Sequence, residues 1–300
     1  MKKIHYFYVI LTGILFGTLT TGGKFLMDKG LSAYGVAIFP LIIATILLLP
    51  YTIILIIKDR IRFSKRMLLY FLFLSLFGGI VRLAMLIPIE LGIPIAIVIL
   101  LIYTQPLWAI LLEKAVLKQS VTKTKIFSIF IVLLGATILV GPTNLKKFNL
   151  LGLSISLIGA MAMGAWLLYG RLNGLEKHPP ILTTFFYCFF NCSFILIFYL
   201  LTRSAFKTNL TFNFFYGNIW FYLVIYAIVS SLIPYLCLYK GLENVSASTS
   251  GIILLLEPVC ASLIAAFFLN QPLTTNIIIG GILILLSNYF VIKYEMKVSK

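Results

Sequence analysis

The chain has 300 residues, of which 61% are hydrophobic and only 11% are charged, and its formal net charge is +16. Its mean hydropathy is +1.09. Repeated apolar runs of about twenty residues exclude a soluble globular domain and predict a polytopic membrane protein. The positive charge does not favour nucleic-acid binding, because Lys and Arg lie mostly in short connections between apolar runs rather than on a basic face with interleaved aromatic residues.

Ten apolar segments are predicted to be membrane-spanning helices. They are residues 4–22, 34–57, 67–89, 93–112, 126–140, 151–169, 182–201, 219–239, 246–269 and 276–292. If the N-terminus is cytoplasmic, most of the 24 basic residues fall on the cytoplasmic side. The positive-inside rule therefore predicts a multi-pass protein of the cell membrane with both termini in the cytoplasm.

The second half of the chain repeats the first. A shift of 152 residues lays Gln105-Pro106 on Glu257-Pro258, and a shift of 147 residues lays Gly17 on Gly164. Each unit contains five predicted spans, and because five is odd, the second copy enters the membrane upside down. We expect an all-α membrane protein of two inverted five-helix repeats, residues 1–142 and 143–300. This construction is common in secondary transporters, whose substrate sites lie near the bilayer midplane between the repeats.

The closing pattern of each half is a start rich in small residues, an apolar run to a mid-helix proline, a polar break and a last helix. In the second half it reads Ser246-Ala247-Ser248, then Leu255-Leu256-Glu257-Pro258, Leu273-Thr274 and Gly280-Gly281. This pattern, with ten spans in two halves, resembles the EamA-type members of the drug/metabolite transporter superfamily. The resemblance implies a carrier for small metabolites, often an exporter of amino acids or related compounds.

Two charged residues are predicted to lie deep within spans. Glu257 is near the middle of the ninth span and Arg82 lies within the third. Such residues are costly in a bilayer and usually mark a pathway or binding site. Their predicted depths are similar enough for an Arg82–Glu257 ion pair, so both are substrate-binding candidates, and a purely structural pair is the alternative. Pro106 and Pro258 are predicted to kink their helices.

Aromatic side chains on three of the spans are further candidates for lining a substrate pathway, although interfacial anchoring explains most membrane Tyr and Trp residues. These candidates are Tyr103, Trp108, Trp166, Tyr235 and Tyr239. Three other acidic residues, Glu90, Glu113 and Glu243, lie near predicted span ends, and we expect them to be solvated. Paired glycines such as Gly78-Gly79 are expected to permit close helix packing.

No cofactor, metal or enzymatic activity is expected. The four cysteines lie in apolar runs, and the two histidines do not form a metal-binding or hydrolase pattern. The expected partners are a small-molecule substrate and the lipid bilayer, with no nucleic acid, and the chain is expected to be a monomer or homodimer. An intramembrane enzyme or a channel is a more distant alternative.

A cavity with one acid, one base and aromatic walls suits a zwitterion, so an amino acid or related metabolite is the predicted substrate. An uptake carrier or exchanger for a larger nucleotide-like or cofactor-like metabolite is the alternative. Glu257 is also a candidate for proton coupling, because removal from water favours the neutral form of a carboxyl group. Substrate and proton would then compete at one site, as exchange requires.

Overall fold

The computed structural model describes residues 2–91, 93, 95–119, 121–141, 149–206, 218–269 and 272–298. These residues form thirteen α-helices and one π-helical turn, Ile228–Leu232, between α9 and α10. The helices are α1 Lys2–Asp28, α2 Ala33–Lys58, α3 Lys65–Glu90, α4 Ile95–Ile102, α5 Gln105–Leu117, α6 Lys123–Val140, α7 Leu150–Leu175, α8 Pro180–Phe206, α9 Ile219–Ala227, α10 Ile233–Gly241, α11 Ala247–Leu254, α12 Glu257–Leu269 and α13 Thr275–Val298.

By length and apolar composition, these helices make ten membrane spans within the described ranges. Seven spans are single helices; the fourth is formed by α4 and α5, the eighth by α9 and α10, and the ninth by α11 and α12. The all-helical fold of ten spans predicted from the sequence is thus confirmed. Because ten is even, both termini lie on the same side of the membrane, which we call the terminal side.

The helix bounds follow the internal repeat. Shifted by 152 residues, α4 and α5 coincide with α11 and α12 at both ends, and the first residue of α6 falls on the first residue of α13. Shifted by 147 residues, the last residue of α1 falls on the last residue of α7, and the first residue of α2 falls on the first residue of α8. The expected join between residues 142 and 143 lies outside the described residues.

Two glycines permit equivalent helix contacts between the halves. A Cβ built on Gly17 of α1 would lie 2.8 Å from the backbone nitrogen of Ala261 in α12. At Gly164 of α7, it would lie 2.8 Å from the backbone nitrogen of Ala109 in α5. These four residues correspond under the two repeat shifts. The absence of a side chain at Gly17 and Gly164 therefore lets the first helix of each half pack against the second part of the broken helix of the other half, as expected for small residues in membrane helix packing.

The two broken spans are not packed alike on the two sides of the membrane. On the terminal side, α5 packs directly against α11, and α11 also packs on α7. On the opposite side, the repeat-related helices α4 and α12 make at most marginal contact within the described part of the chain. The two broken spans therefore meet on the terminal side alone, and on the other side the halves are joined through other helices, such as α1 and α12.

Candidate functional site

The ninth span is interrupted just before Glu257. Helix α11 ends at Leu254, two turn residues follow, and α12 begins at Glu257. A proline ring clashes with the carbonyl four residues earlier and provides no N–H, so Pro258 weakens any helix that would continue from Leu254, although three prolines of α2 and α3 lie inside unbroken helices. The same relation holds between Pro106 and Ile102, the last residue of α4. At both places where a kink was predicted, the helix is completely broken, and the two breaks are at equivalent positions in the two halves.

Glu257 lies at this break with its side chain partly exposed. As the first residue of α12, its carboxylate is placed where the helix dipole favours a negative charge. Among the described residues it has no hydrogen-bond or ion-pair partner. Tyr103, at the break of the fourth span, and Tyr226 of α9 lie within electrostatic range of it. An unpaired carboxylate at a helix break is positioned to take a cationic group.

Arg82 is held by groups other than Glu257. Its Nη2 donates to the Tyr235 hydroxyl at 2.8 Å, and its Nη1 donates to the carbonyl oxygen of Ala37 at 3.4 Å. The expected Arg82–Glu257 ion pair is not among the ion pairs of the described residues. The two side chains nevertheless share a neighbour, because the Tyr226 hydroxyl is within electrostatic range of both. A guanidinium has five N–H donors, so Arg82 retains donors for a further ligand.

A cluster of four buried aromatic side chains surrounds the Arg82 contact. The rings of Tyr187 and Tyr235 have centroids 4.7 Å apart, and Trp166 lies 6.0 Å from Tyr187. Trp166 Nε1 donates to the Tyr239 hydroxyl at 3.2 Å. Trp166, Tyr187, Tyr235 and Tyr239 are each less than 5% exposed. Side chains of α7, α8 and α10 thus form an aromatic cluster, and one of its hydroxyl groups, that of Tyr235, contacts the guanidinium of Arg82.

The other two aromatic candidates lie elsewhere. Tyr103 packs in a separate apolar cluster with Val259 of α12. Trp108 lies against Gly164, and its buried Nε1 has no hydrogen-bond partner within the described ranges. No ring contact among the described residues joins either side chain to the aromatic cluster. Of the candidates, Arg82, Trp166, Tyr235 and Tyr239 are therefore brought together, whereas Tyr103 lies on the Glu257 side.

Sequence reasoning missed Tyr187 and misplaced Glu113. Tyr187 lies only a few residues into its span, where aromatic residues usually act as interfacial anchors. Only its contacts show that it belongs to the aromatic cluster. Glu113 was expected to be solvated, but it is 2% exposed. Its carboxylate accepts the backbone N–H of Ala247 at 2.7 Å, so a helix of the other half covers it.

A metal centre is not formed by the part of the chain that the structure describes. No group of three His, Cys, Asp or Glu side chains there could hold a metal ion, and the four cysteines are free.

Comparison with known proteins agrees with this architecture. The model of the EamA-like transporter family matches residues 3–141 and 150–293. An uncharacterized transporter of Archaeoglobus fulgidus is 26% identical over 98% of this chain and 99% of its own length. One of Clostridium kluyveri is 24% identical over 96% and 92%. A protein of known crystal structure has a TM-score of 0.74 with 99% of both chains covered, at 14% identity, which supports the fold alone.

Proposed function

The chain belongs to the EamA-like transporter family, and on that premise we propose that it is a secondary carrier for a small zwitterionic metabolite, an amino acid or a related compound. The proposal rests on one observation, namely that the two charged side chains within the spans do not pair with each other. Arg82 is oriented by Tyr235 and retains unused N–H donors. Glu257 lies at the break of the ninth span and has no partner among the described residues.

Each charge suits one end of a zwitterion. A guanidinium binds a carboxylate through charge-assisted hydrogen bonds, and Arg82 is already held in place by the Tyr235 hydroxyl and the Ala37 carbonyl. A free carboxylate binds an ammonium group, and Glu257 has no other charge paired with it among the described residues. Because Arg82 and Glu257 do not neutralise each other, a ligand that carries both charges can pair with each of them.

The two repeated halves of the fold provide a mechanism for transport. A site between inverted repeats is exposed to alternate sides when the halves rock against each other. The proposed site fits this scheme, because Arg82 belongs to the first half and its partner Tyr235 to the second. We assign the protein to the cell membrane with both termini in the cytoplasm, supported by the distribution of Lys and Arg. A cysteine placed in the loop at Lys146-Lys147 should then react with impermeant reagents from outside only.

Glu257 is also our candidate for coupling transport to protons. In a site of low polarity an isolated carboxylate is unfavourable, and either a bound proton or a bound ammonium group removes that cost. The two occupants would exclude each other, so the movement of one across the membrane would be linked to the opposite movement of the other. This makes export driven by proton entry the form of transport that the site favours.

A thermal-shift screen of the purified protein against a panel of metabolites tests the substrate class. A ligand present at 100 times its Kd stabilises the folded protein by about 2.7 kcal/mol. We expect amino acids or related zwitterions to raise the melting temperature of the wild-type protein, Arg82→Gln to abolish the rise, and Glu257→Gln to reduce it. Glu243→Gln, which removes a charge that is paired with Lys240 near a helix end, is the matched control. A shift with nucleotides and none with zwitterions would refute the proposed substrate.

A further inference from the structure

The closed terminal side of the molecule is held by charged side chains. Glu113, near the end of α5, accepts hydrogen bonds from the backbone N–H groups of Ala247 and Ser248 at 2.7 and 3.2 Å. It also accepts one from the Ser248 hydroxyl at 2.5 Å. These are the first residues of α11, where free N–H groups and the helix dipole attract an anion. Glu113 thus ties the first half of the chain to the start of a helix in the second.

A second charge reinforces the same contact. Lys125 of α6 is 6% exposed, and its Nζ donates to the hydroxyls of Ser246 and Ser248, each at 3.0 Å. The same Nζ forms an ion pair of 3.0 Å with Glu295 of α13. Ser248 therefore contacts both an anion and a cation of the first half, and every charge in this group has an opposite charge or several hydrogen bonds.

The opposite side of the membrane has no equivalent charges in the sequence. Under the 152-residue shift, the position equivalent to Glu113 is Ala265, that equivalent to Lys125 is Ile277, and that equivalent to Ser248 is Ala96. The repeat otherwise preserves the bounds of these helices. The charged contact is thus a property of one side alone, the side on which α5 and α11 are packed together.

We propose that Glu113, Lys125 and Glu295, with the Ser246–Ser248 start of α11, form a gate that closes the terminal side and makes the outward-facing conformation the resting state of the carrier. This inference rests on the proposed function, in which α5 and α11 must separate for substrate to reach the cytoplasm. Separation would break the bonds of Glu113 to α11, and water that enters the gap would solvate the released charges. Closure of the opposite side would depend on apolar contacts between α4 and α12.

The reactivity of a cysteine behind the gate tests the proposal. Ser250 of α11 is fully buried, and its hydroxyl has no hydrogen-bond partner within the described ranges, so Ser250→Cys is a mild change. The full-length protein would be treated in inside-out membrane vesicles with an impermeant maleimide, and modification would be measured by intact mass against the parent that lacks the reporter. No substrate is added, so the measurement reports the resting conformation.

We expect Glu113→Gln and Lys125→Met each to raise the labelling rate about tenfold or more, because each removes charge-assisted hydrogen bonds that close the gate. Lys114→Gln, an exposed charge next to Glu113, should leave the rate unchanged. Ser156→Cys, a buried position on α7, should stay unreactive in every variant, which separates gate opening from unfolding. If a variant of a buried charge does not fold, Glu295→Gln replaces it, since Glu295 is partly exposed.

Equal labelling of folded gate variants and wild type would overturn the proposal, and so would an equal increase in Lys114→Gln. The outcome is distinguishable from failure of the proposed function. If the gate proposal alone is wrong, zwitterions still raise the melting temperature of the wild-type protein. A wrong substrate class would abolish that rise while the labelling difference persisted.

Discussion

Arg82 in the first half of the chain donates a 2.8 Å hydrogen bond to the hydroxyl of Tyr235 in the second half. Under the repeat shift, Tyr235 directly follows the residue equivalent to Arg82, so the contact joins corresponding helices of the two halves. The bond orients the guanidinium without neutralising its charge, since a tyrosine hydroxyl is neutral at physiological pH. Arg82 is therefore preorganised for an anionic ligand, and Glu257 remains free for a cationic one.

Replacement of Tyr235 by Phe should destabilise the protein and weaken ligand binding together. It leaves a buried N–H group of Arg82 without its acceptor, which costs about 1–3 kcal/mol. Tyr239→Phe is the matched control, because it removes the 3.2 Å bond from Trp166 but not the bond from Arg82. Melting temperatures with and without substrate would measure both effects. An equal loss of the substrate-induced shift in the two variants would contradict an orienting role for Tyr235.

Adding one methyl group at Gly17 should destabilise the protein. In Gly17→Ala, the new Cβ would lie 2.8 Å from the backbone nitrogen of Ala261, and backbone cannot move aside as a side-chain tip can. Overpacking of this kind costs about 1–3 kcal/mol. In Gly79→Ala, the nearest atom would be 3.6 Å away, so the gain in helix propensity should dominate. We expect a lower melting temperature for Gly17→Ala and an unchanged or higher one for Gly79→Ala; the reverse order would contradict the α1–α12 contact.

The repeat and the two disturbed helix positions could be predicted from the sequence, but complete breaks and the charge contacts could not. Pro106 and Pro258 predicted a kink because a proline acts locally on the carbonyl four residues earlier, but three prolines of α2 and α3 lie inside unbroken helices, so packing decides whether a helix breaks. The partner of Arg82 depends instead on how the helices are rotated about their axes, which predicted depths do not reveal. Glu113 shows the same limit. Its position near a span end predicted solvation, whereas its partner Ala247 is 134 residues away and meets it only when the halves pack.

The loop between α7 and α8 should make stability depend on pH. Burial lowers the pKa of His178, and nearby Arg66 lowers it further, although Glu176 acts in the opposite direction. The folded protein therefore binds a proton at His178 less readily than the unfolded chain, whose histidine has a pKa of about 6.5. The contribution of His178 to stability is present above that value and is lost as the pH falls through it toward the lower pKa of the folded state.

Melting curves in detergent at about pH 7.5 and about pH 5.5 would test this dependence on His178. His178→Gln keeps a side chain that can hydrogen-bond to Asn173, whose Oδ1 lies 2.8 Å from Nδ1 of the histidine, but it does not titrate in this range. We expect the melting temperature of the wild-type protein to fall more between the two pH values than that of the variant. A larger fall in the variant would show that the sign of the pKa change is wrong.

Replacement of Glu257 by Gln separates the proposed proton coupling from a purely structural role. The fold itself accepts glutamine at this type of position, because Gln105 occupies the equivalent place at the break of the fourth span. There its Nε2 donates to the carbonyl oxygen of Gly251 at 3.5 Å. Glu257→Gln keeps the size and most of the hydrogen-bonding capacity of the side chain but removes its ability to bind and release a proton. We therefore expect the variant to fold.

In proteoliposomes, the wild-type protein should accumulate or expel substrate in response to a pH gradient. Glu257→Gln should lose this gradient-driven transport, because proton and substrate no longer compete for one carboxylate, while exchange of labelled for unlabelled substrate continues at a reduced rate. Glu243→Gln, which removes a paired carboxylate near a helix end, should retain both activities. Gradient-driven transport that survives in Glu257→Gln would show that protons are coupled elsewhere or not at all. Loss of exchange as well would mean that Glu257 is needed to bind substrate, and coupling would then have to be tested with Glu257→Asp, which titrates but holds its carboxylate one methylene farther back.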